Sequence, residues 1–334
     1  MQFEQLKRRE LIALVGATAA SSVSWPLSAH AQPATMPVVG FLEPASPDAA
    51  TPDRLRAFHE GLKTSGFVEG ENVALEYRWA ENKIERLSDL AAGLARRKVA
   101  VIAAIGGSTP AFAAKAETNT IPIVFATVQD PTKLGLVASL ARPEGNLTGV
   151  FLPSESAAQR LGYLRELVPA ATRIAVVLDP VNATYAAPTL KELQDLARAR
   201  GLQVKVFNAT TPAEIDAAFA SLAGERFEAL FVGPFSTDRR VQLALLAALH
   251  RVPATYPWRD FVDAGGLMSY GASLGYAYRQ AGMLVGRILK GAKPAELPVV
   301  QSTRSELIIN GSTARMLGLA VPASLRASAQ EVIE

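Results

Sequence analysis

VAVIAAIGGSTPAFAAKAETNTIPIVFAT, residues 99–127, is the stretch whose reading decides the fold. Its β-branched run (Val99, Val101, Ile102) stops at Gly106 and Gly107. Ser108, Thr109 and Pro110 then read as a helix start, with Ser108 as N-cap and proline in the first turn. An Ala-rich helix continues to Glu117, and residues 121–125 form a second buried strand. Strand, glycine loop, helix and strand make the repeating unit of a parallel sheet. Ligands of such sheets sit beyond the carboxyl ends of the strands, where helix N-termini offer free N–H groups. Gly107, Ser108 and Thr109 are therefore expected to line any site.

Upstream, residues 37–42 read as a buried strand and residues 53–65 as a helix, with Leu55, Phe58 and Leu62 at helical spacing, ending at Gly66. Residues 73–79 alternate as a half-wet strand, and residues 84–97 form an amphipathic helix. Downstream, a loop over 126–133 leads into a helix through Leu140, and residues 142–146 (RPEGN) break the chain. The pattern then begins again. A strand at 174–178, a turn at Asp179, a helix over 188–200, Gly201 and a strand at 203–207 repeat the first unit. Glu43 to Gly66 spans 23 residues and Asp179 to Gly201 spans 22. Residues 230–237 and 252–254 repeat the second unit, again with a glycine loop and a proline in the next strand. Matching punctuation predicts two similarly folded α/β lobes.

The remainder is expected to cross back and complete both sheets: a strand at 265–270, a helix over 274–290, a loop at 294–298, a strand at 306–309, a short helix over 312–317 and a polar tail. The expected first lobe is 37–150 plus 271–300, and the second is 151–270 plus 301–334. Two Rossmann-like lobes around a cleft, joined by a multi-stranded hinge, form an architecture that works by hinge closure.

The 334 residues carry 34 Lys+Arg against 31 Asp+Glu, a formal charge of +3, and no Cys. Charges are interleaved, so nucleic-acid binding has no compositional support. Thiol catalysis, Cys-ligated metals and disulfides are excluded. Lys7, Arg8 and Arg9, an apolar stretch over 11–20, and Ala29-His30-Ala31 read as a signal peptide over residues 1–31, of Sec or Tat type. The mature chain would begin at Gln32, with no Cys to carry a lipid anchor, and would be periplasmic.

GFVEGENVALEYRWAE (66–81), IPIVFATVQDPTKLGLVASLARPEGNLTGV (121–150), GGLMSYGASLGYAYRQAG (265–282) and GRILKGAKPAELPV (286–299) occur together and in order. They resemble the substrate-binding proteins of an ABC-transporter family whose better-known members bind tryptophan or tyrosine. The resemblance implies a type I periplasmic-binding-protein fold, no catalysis and delivery of a small ligand to a membrane permease. It does not fix the ligand. On this reading the protein is a monomer that needs no cofactor or metal and binds a small amphiphilic solute, an amino acid or aromatic carboxylate.

Within that frame, Ser108 and Thr109 offer donors to a carboxylate, or Ser108 merely caps its helix. Asp130 is placed to pair with an ammonium, or else caps a helix starting at Pro131. Ser46 lies in the first loop. Across the cleft, Asn182 can give and accept hydrogen bonds, while Tyr185, Phe235 and Trp258 can wall a ring. Asp179, Ser236, Tyr256 and Tyr270 lie nearby in sequence. An exported α/β hydrolase is the enzyme alternative, because Gly271-Ala272-Ser273-Leu274-Gly275 fits G-x-S-x-G. The three His are His30, His59 and His250, and none follows Ser273, so Ser273 reads better as a helix cap. A sensory protein that presents ligand to a receptor is the third reading.

Overall fold

The computed structural model describes residues 36–153, 156–235, 237–302 and 305–334, leaving aside the side chains of residues 182–185, 223 and 237. The signal-peptide reading lies outside the described residues. In chain order the elements are β1 (Val38–Glu43), α1 (Thr51–Thr64), β2 (Ala74–Trp79), α2 (Arg86–Arg96), β3 (Val101–Ala104), α3 (Ser108–Glu117), β4 (Ile123–Thr127) and β5 (Leu147–Phe151). There follow α4 (Ala157–Leu167), β6 (Arg173–Leu178), α5 (Ala183–Arg200), β7 (Gln203–Asn208), α6 (Pro212–Glu225), β8 (Ala229–Val232), α7 (Arg240–Leu249), β9 (Ala254–Tyr256), α8 (Arg259–Asp263) and β10 (Met268–Ala272). The chain ends with α9 (Leu274–Leu289), β11 (Val300–Gln301), β12 (Ser305–Asn310), α10 (Gly311–Met316), α11 (Ala323–Ser328) and β13 (Glu331–Ile333).

Two sheets result. The first has the order β11-β5-β4-β3-β1-β2 and the second β13-β12-β10-β9-β8-β6-β7. Every pairing is parallel except β10 with β12. Each lobe thus repeats one winding: β2-β1-β3-β4-β5 and β7-β6-β8-β9-β10. Helices cover both faces, so the central strands are apolar throughout: β3, β4, β5 and β8 have no exposed residue. The chain passes between the sheets three times, after β5, after β10 and after β11. This is the type I periplasmic-binding-protein architecture.

The second passage carries α9 back onto the first lobe, where it lies against α1. A Cβ on Gly61 would stand 2.0 Å from the Arg279 carbonyl oxygen, and one on Gly282 would stand 2.1 Å from that of Phe58. Only glycine at both positions lets the two backbones meet. Phe58, fully buried, packs edge-on against Phe41 of β1 with ring centroids 5.4 Å apart. Ala277, Tyr278, Ala281, Leu284 and Val285 of α9 join the same core.

Several local expectations need correction. No helix forms over 134–140; residues 131–135 are turns, and Gly135 takes φ +70°, a conformation that interrupts a right-handed helix. Gly107, not Ser108, is the N-cap of α3. The helix expected from Pro188 begins at Ala183 and holds Pro188 inside it. The tail beyond Leu317 is not merely polar. It forms α11 and β13, whose Leu325 is fully buried in the second core. Strand β5 and helices α4 and α6 were missed, α6 despite a complete capping box between Thr211 and Glu214.

Replacing Gly282 by Ala pushes a methyl into the Phe58 carbonyl and should cost about 3 kcal/mol or more in urea unfolding, despite alanine's better helix propensity. Gly162, whose added Cβ would meet nothing within 4 Å, is the control and should be neutral or slightly stabilising on the same change.

Candidate functional site

In a winding of this order the chain leaves the first strand in one direction and returns to the other side of it, opening a crevice between β1 and β3. The loops after these strands, residues 44–50 and 105–107, meet there. Glu43, the last residue of β1, is 4% exposed and its Oε2 accepts the Tyr278 hydroxyl proton at 2.9 Å. Gly106 takes φ +92°, and a Cβ on it would lie 2.4 Å from Glu43 Oε1. That glycine therefore serves both the turn and the carboxylate beneath it. Burial pushes the Glu43 carboxyl up to about 7, while Tyr278 and Arg54 hold it back.

Above Glu43 stands a set of four charges. Arg54 Nη2 lies 3.1 and 3.0 Å from Asp48 Oδ1 and Oδ2. Arg240 Nη1 donates to Asp48 Oδ2 at 2.7 Å. Arg54 Nη2 also lies 3.0 Å from Asp260 Oδ2, an ion-pair distance at an angle that makes no hydrogen bond. Asp48 and Arg54 belong to the first lobe, Arg240 and Asp260 to the second. The carboxyl edges of the two sheets thus face each other, in contact. Burial disfavours the charge on Asp48, but Arg54, Thr51 and Arg240 outweigh it and lower its pKa. At Asp260 burial prevails over Arg54, and the pKa rises.

Several of the residues picked from sequence lie in the loops of this edge. Ser46 is half-buried after β1, and Gly107, Ser108 and Thr109 open α3, with Thr109 exposed. Ser108 Oγ donates to Gln129 Oε1 at 2.7 Å, tying the β3 loop to the β4 loop instead of capping. Asp130 accepts from Thr132 Oγ1 at 2.6 Å and from the Thr132 amide at 2.9 Å, and these bonds lower its pKa. It caps a turn, not a helix. Asn182 immediately precedes α5 and Tyr185 falls in its first turn, their side chains outside the described set, and Ser236 lies outside the described residues. Phe235, 3% exposed, is packed into the core of the second lobe with Tyr256. Trp258 is half-buried, its ring centroid 6.3 Å from that of Phe261. Tyr270 packs edge-on against Tyr163. Asp179 accepts from Thr210 Oγ1 at 2.8 Å and holds its own loop.

Ser273 Oγ accepts from the Tyr276 amide at 3.2 Å and caps α9. His59 Nε2 faces the Tyr77 hydroxyl and Glu69, and His250 stacks on Phe219.

Glu43, Asp48, Arg54, Arg240, Asp260 and Tyr278 were missed. A signal was present: Arg54 precedes Phe58 and Leu62 by four and eight residues, which puts a charge on the apolar stripe of α1. Arg240 stands likewise on the buried face of α7 with Leu243, Ala244 and Ala247.

Comparison with known sequences matches residues 38–333 to the ABC transporter substrate binding protein family. The chain belongs to that family. The binding protein is 28% identical over 277 residues to a tyrosine-binding protein of Clostridioides difficile, covering 79% of this chain and 76% of that one. In fold it is similar to a Streptococcus domain in complex with L-Trp (TM-score 0.77, 22% identity, 89% of this chain and 99% of that chain). It is also similar to a ligand-free, open substrate-binding protein from Clostridium difficile (TM-score 0.66, 25% identity, the same coverage). Among the described residues no helix of the binding protein is long and apolar enough to cross a membrane.

The buried Glu43 makes stability pH-dependent. Its folded pKa of about 7 exceeds the ordinary 4.5, so the folded state holds the proton more tightly. The cost is absent below pH 4.5, grows as pH rises towards 7, and reaches about 3 kcal/mol above it. Glu43→Gln keeps an acceptor for Tyr278 and removes the titration. Its stability relative to wild type should climb by that amount between pH 4 and 8 in urea titrations; a constant difference would refute the assignment.

Proposed function

We propose that the binding protein is the periplasmic solute-binding component of an ABC importer, exported by its N-terminal segment and working as a monomer. It takes an aromatic amino acid between its lobes, 37–150 plus 271–300 and 151–270 plus 301–334, which close about the three-stranded hinge. A membrane permease then reads the closed form. The observation that carries this reading is the direct contact of the two carboxyl edges through Asp48, Arg54, Arg240 and Asp260. A cleft walled by both edges can enclose a small solute and shield it from water.

The amino-acid ligand is supported by the tyrosine-binding relative and by the L-Trp complex of a similar fold. In this reading the α3 N-terminus at Gly107, Ser108 and Thr109 receives the carboxylate. Asp130, held ionised by its own turn, faces the ammonium. Ser46, Asn182, Tyr185 and Trp258 supply the remaining walls. No step in the cycle forms or breaks a covalent bond.

The test is a thermal-shift panel on refolded residues 32–334, free of copurified ligand. Tyrosine, tryptophan or phenylalanine at a hundredfold excess over Kd should add about 2.7 kcal/mol of stability. Asp130→Asn should weaken that amino acid about tenfold and leave des-amino aromatic acids unaffected. A panel with no response, or a response to des-amino acids alone, would overturn the amino-acid reading.

A further inference from the structure

The four charges across the cleft do more than mark its edges. Every other described ion pair has at least one partner with a quarter or more of its side chain exposed. Here the side-chain exposures are 14% for Asp48, 11% for Arg54, 9% for Arg240 and 12% for Asp260. Each lobe contributes one cation and one anion: Asp48 with Arg54, and Arg240 with Asp260. Each half is neutral by itself, and the two mate head to tail, so that both cations find an anion across the gap.

The first-lobe half is built rigidly. Asp48 Oδ1 accepts from the Ala50 amide at 2.9 Å and Thr51 Oγ1 at 3.0 Å, while its Oδ2 receives Arg240. Arg54 rises from α1 beside the buried Tyr278. When the lobes part, water reaches all four groups and the Asp48–Arg54 pair of the first lobe persists. When they close, a displaced register would leave a buried charge facing its like, the most costly arrangement for desolvated ions. The set therefore accepts one closed geometry and rejects its neighbours.

We propose that Asp48, Arg54, Arg240 and Asp260 form an interlobe latch that draws the lobes into a single closed register without help from the solute. The inference rests on the hinge-closing reading above, but not on which solute is bound. A populated closed form in the free protein raises affinity in proportion to that population, and the latch also slows release.

The absence of Cys makes the test direct. Asp89→Cys on α2 and Ala217→Cys on α6, both exposed, receive a donor and an acceptor dye, and single-molecule transfer is recorded with no amino acid present. Wild type should show two states. Asp48→Asn should lower the closed-to-open ratio at least tenfold. Arg240→Gln should lower it too, and the double variant should lose less than the product of the two, because the orphaned cation is gone. Asp53→Asn, which breaks the exposed pair with Arg56, should leave the ratio unchanged. Melting curves check folding, and Asp260→Asn tests the second cross-lobe pair independently. A wholly open free protein, shifts below twofold, or effects that simply multiply would overturn the latch. A latch that responds as expected in a protein deaf to aromatic amino acids would remove only the ligand assignment.

Discussion

Helices α1 and α9 touch backbone to backbone, and much of the molecule depends on that contact. Gly61 and Gly282 admit it, and the carbonyls of Arg279 and Phe58 occupy the space that any side chain would need. The contact fastens a helix that arrives from the far lobe onto the first sheet, and so fixes where the hinge segments lie. It also sets the height of two polar groups at the top of the helix pair. Tyr278 of α9 reaches down to Glu43, and Arg54 of α1 reaches outward to the opposite lobe. A looser crossing would move both.

Charge is handled differently at each level of this column. At the bottom, Glu43 is enclosed so completely that it holds its proton to near-neutral pH. One level up, Asp48 is kept ionised by two arginines and a hydroxyl. Across the gap, Asp260 is buried enough for desolvation to outweigh its arginine neighbours. The ordering sets burial against the donors and cations each carboxylate meets: burial prevails at Glu43 and Asp260, and the partners prevail at Asp48.

The fold was legible because its signals are local and repeated. The glycine loop at 106–107 and the proline-punctuated strands that follow each unit announced the winding twice. What stayed hidden was tertiary. The helix expected over 134–140 does not form, and Leu136 and Val137 are buried from a chain of turns around Gly135. Phe235 looked like loop and is core. The site was legible as loops, since the edge of a parallel sheet is fixed by topology. It was poorly legible as contacts, because Ser108 spends its hydroxyl on Gln129, and Asp130 spends an oxygen on Thr132. Arg54 and Arg240 each broke an apolar stripe in plain view, and their partners in the opposite lobe, Asp260 and Asp48, lie too far along the chain for spacing to reveal them.

The interleaving of the lobes also governs when they can form. The first core needs Ala277, Tyr278, Leu284 and Val285, and the second needs Leu307, Ile309 and Leu325. A nascent chain that stops short of α9 can finish neither, however much of both sheets it has already made. Long-range closure of this kind is slow, because the entropy of joining distant segments is spent before the contacts repay it. The polypeptide thus remains unfinished and pliable through most of its synthesis, and the two lobes gain their cores almost together, from its last sixth.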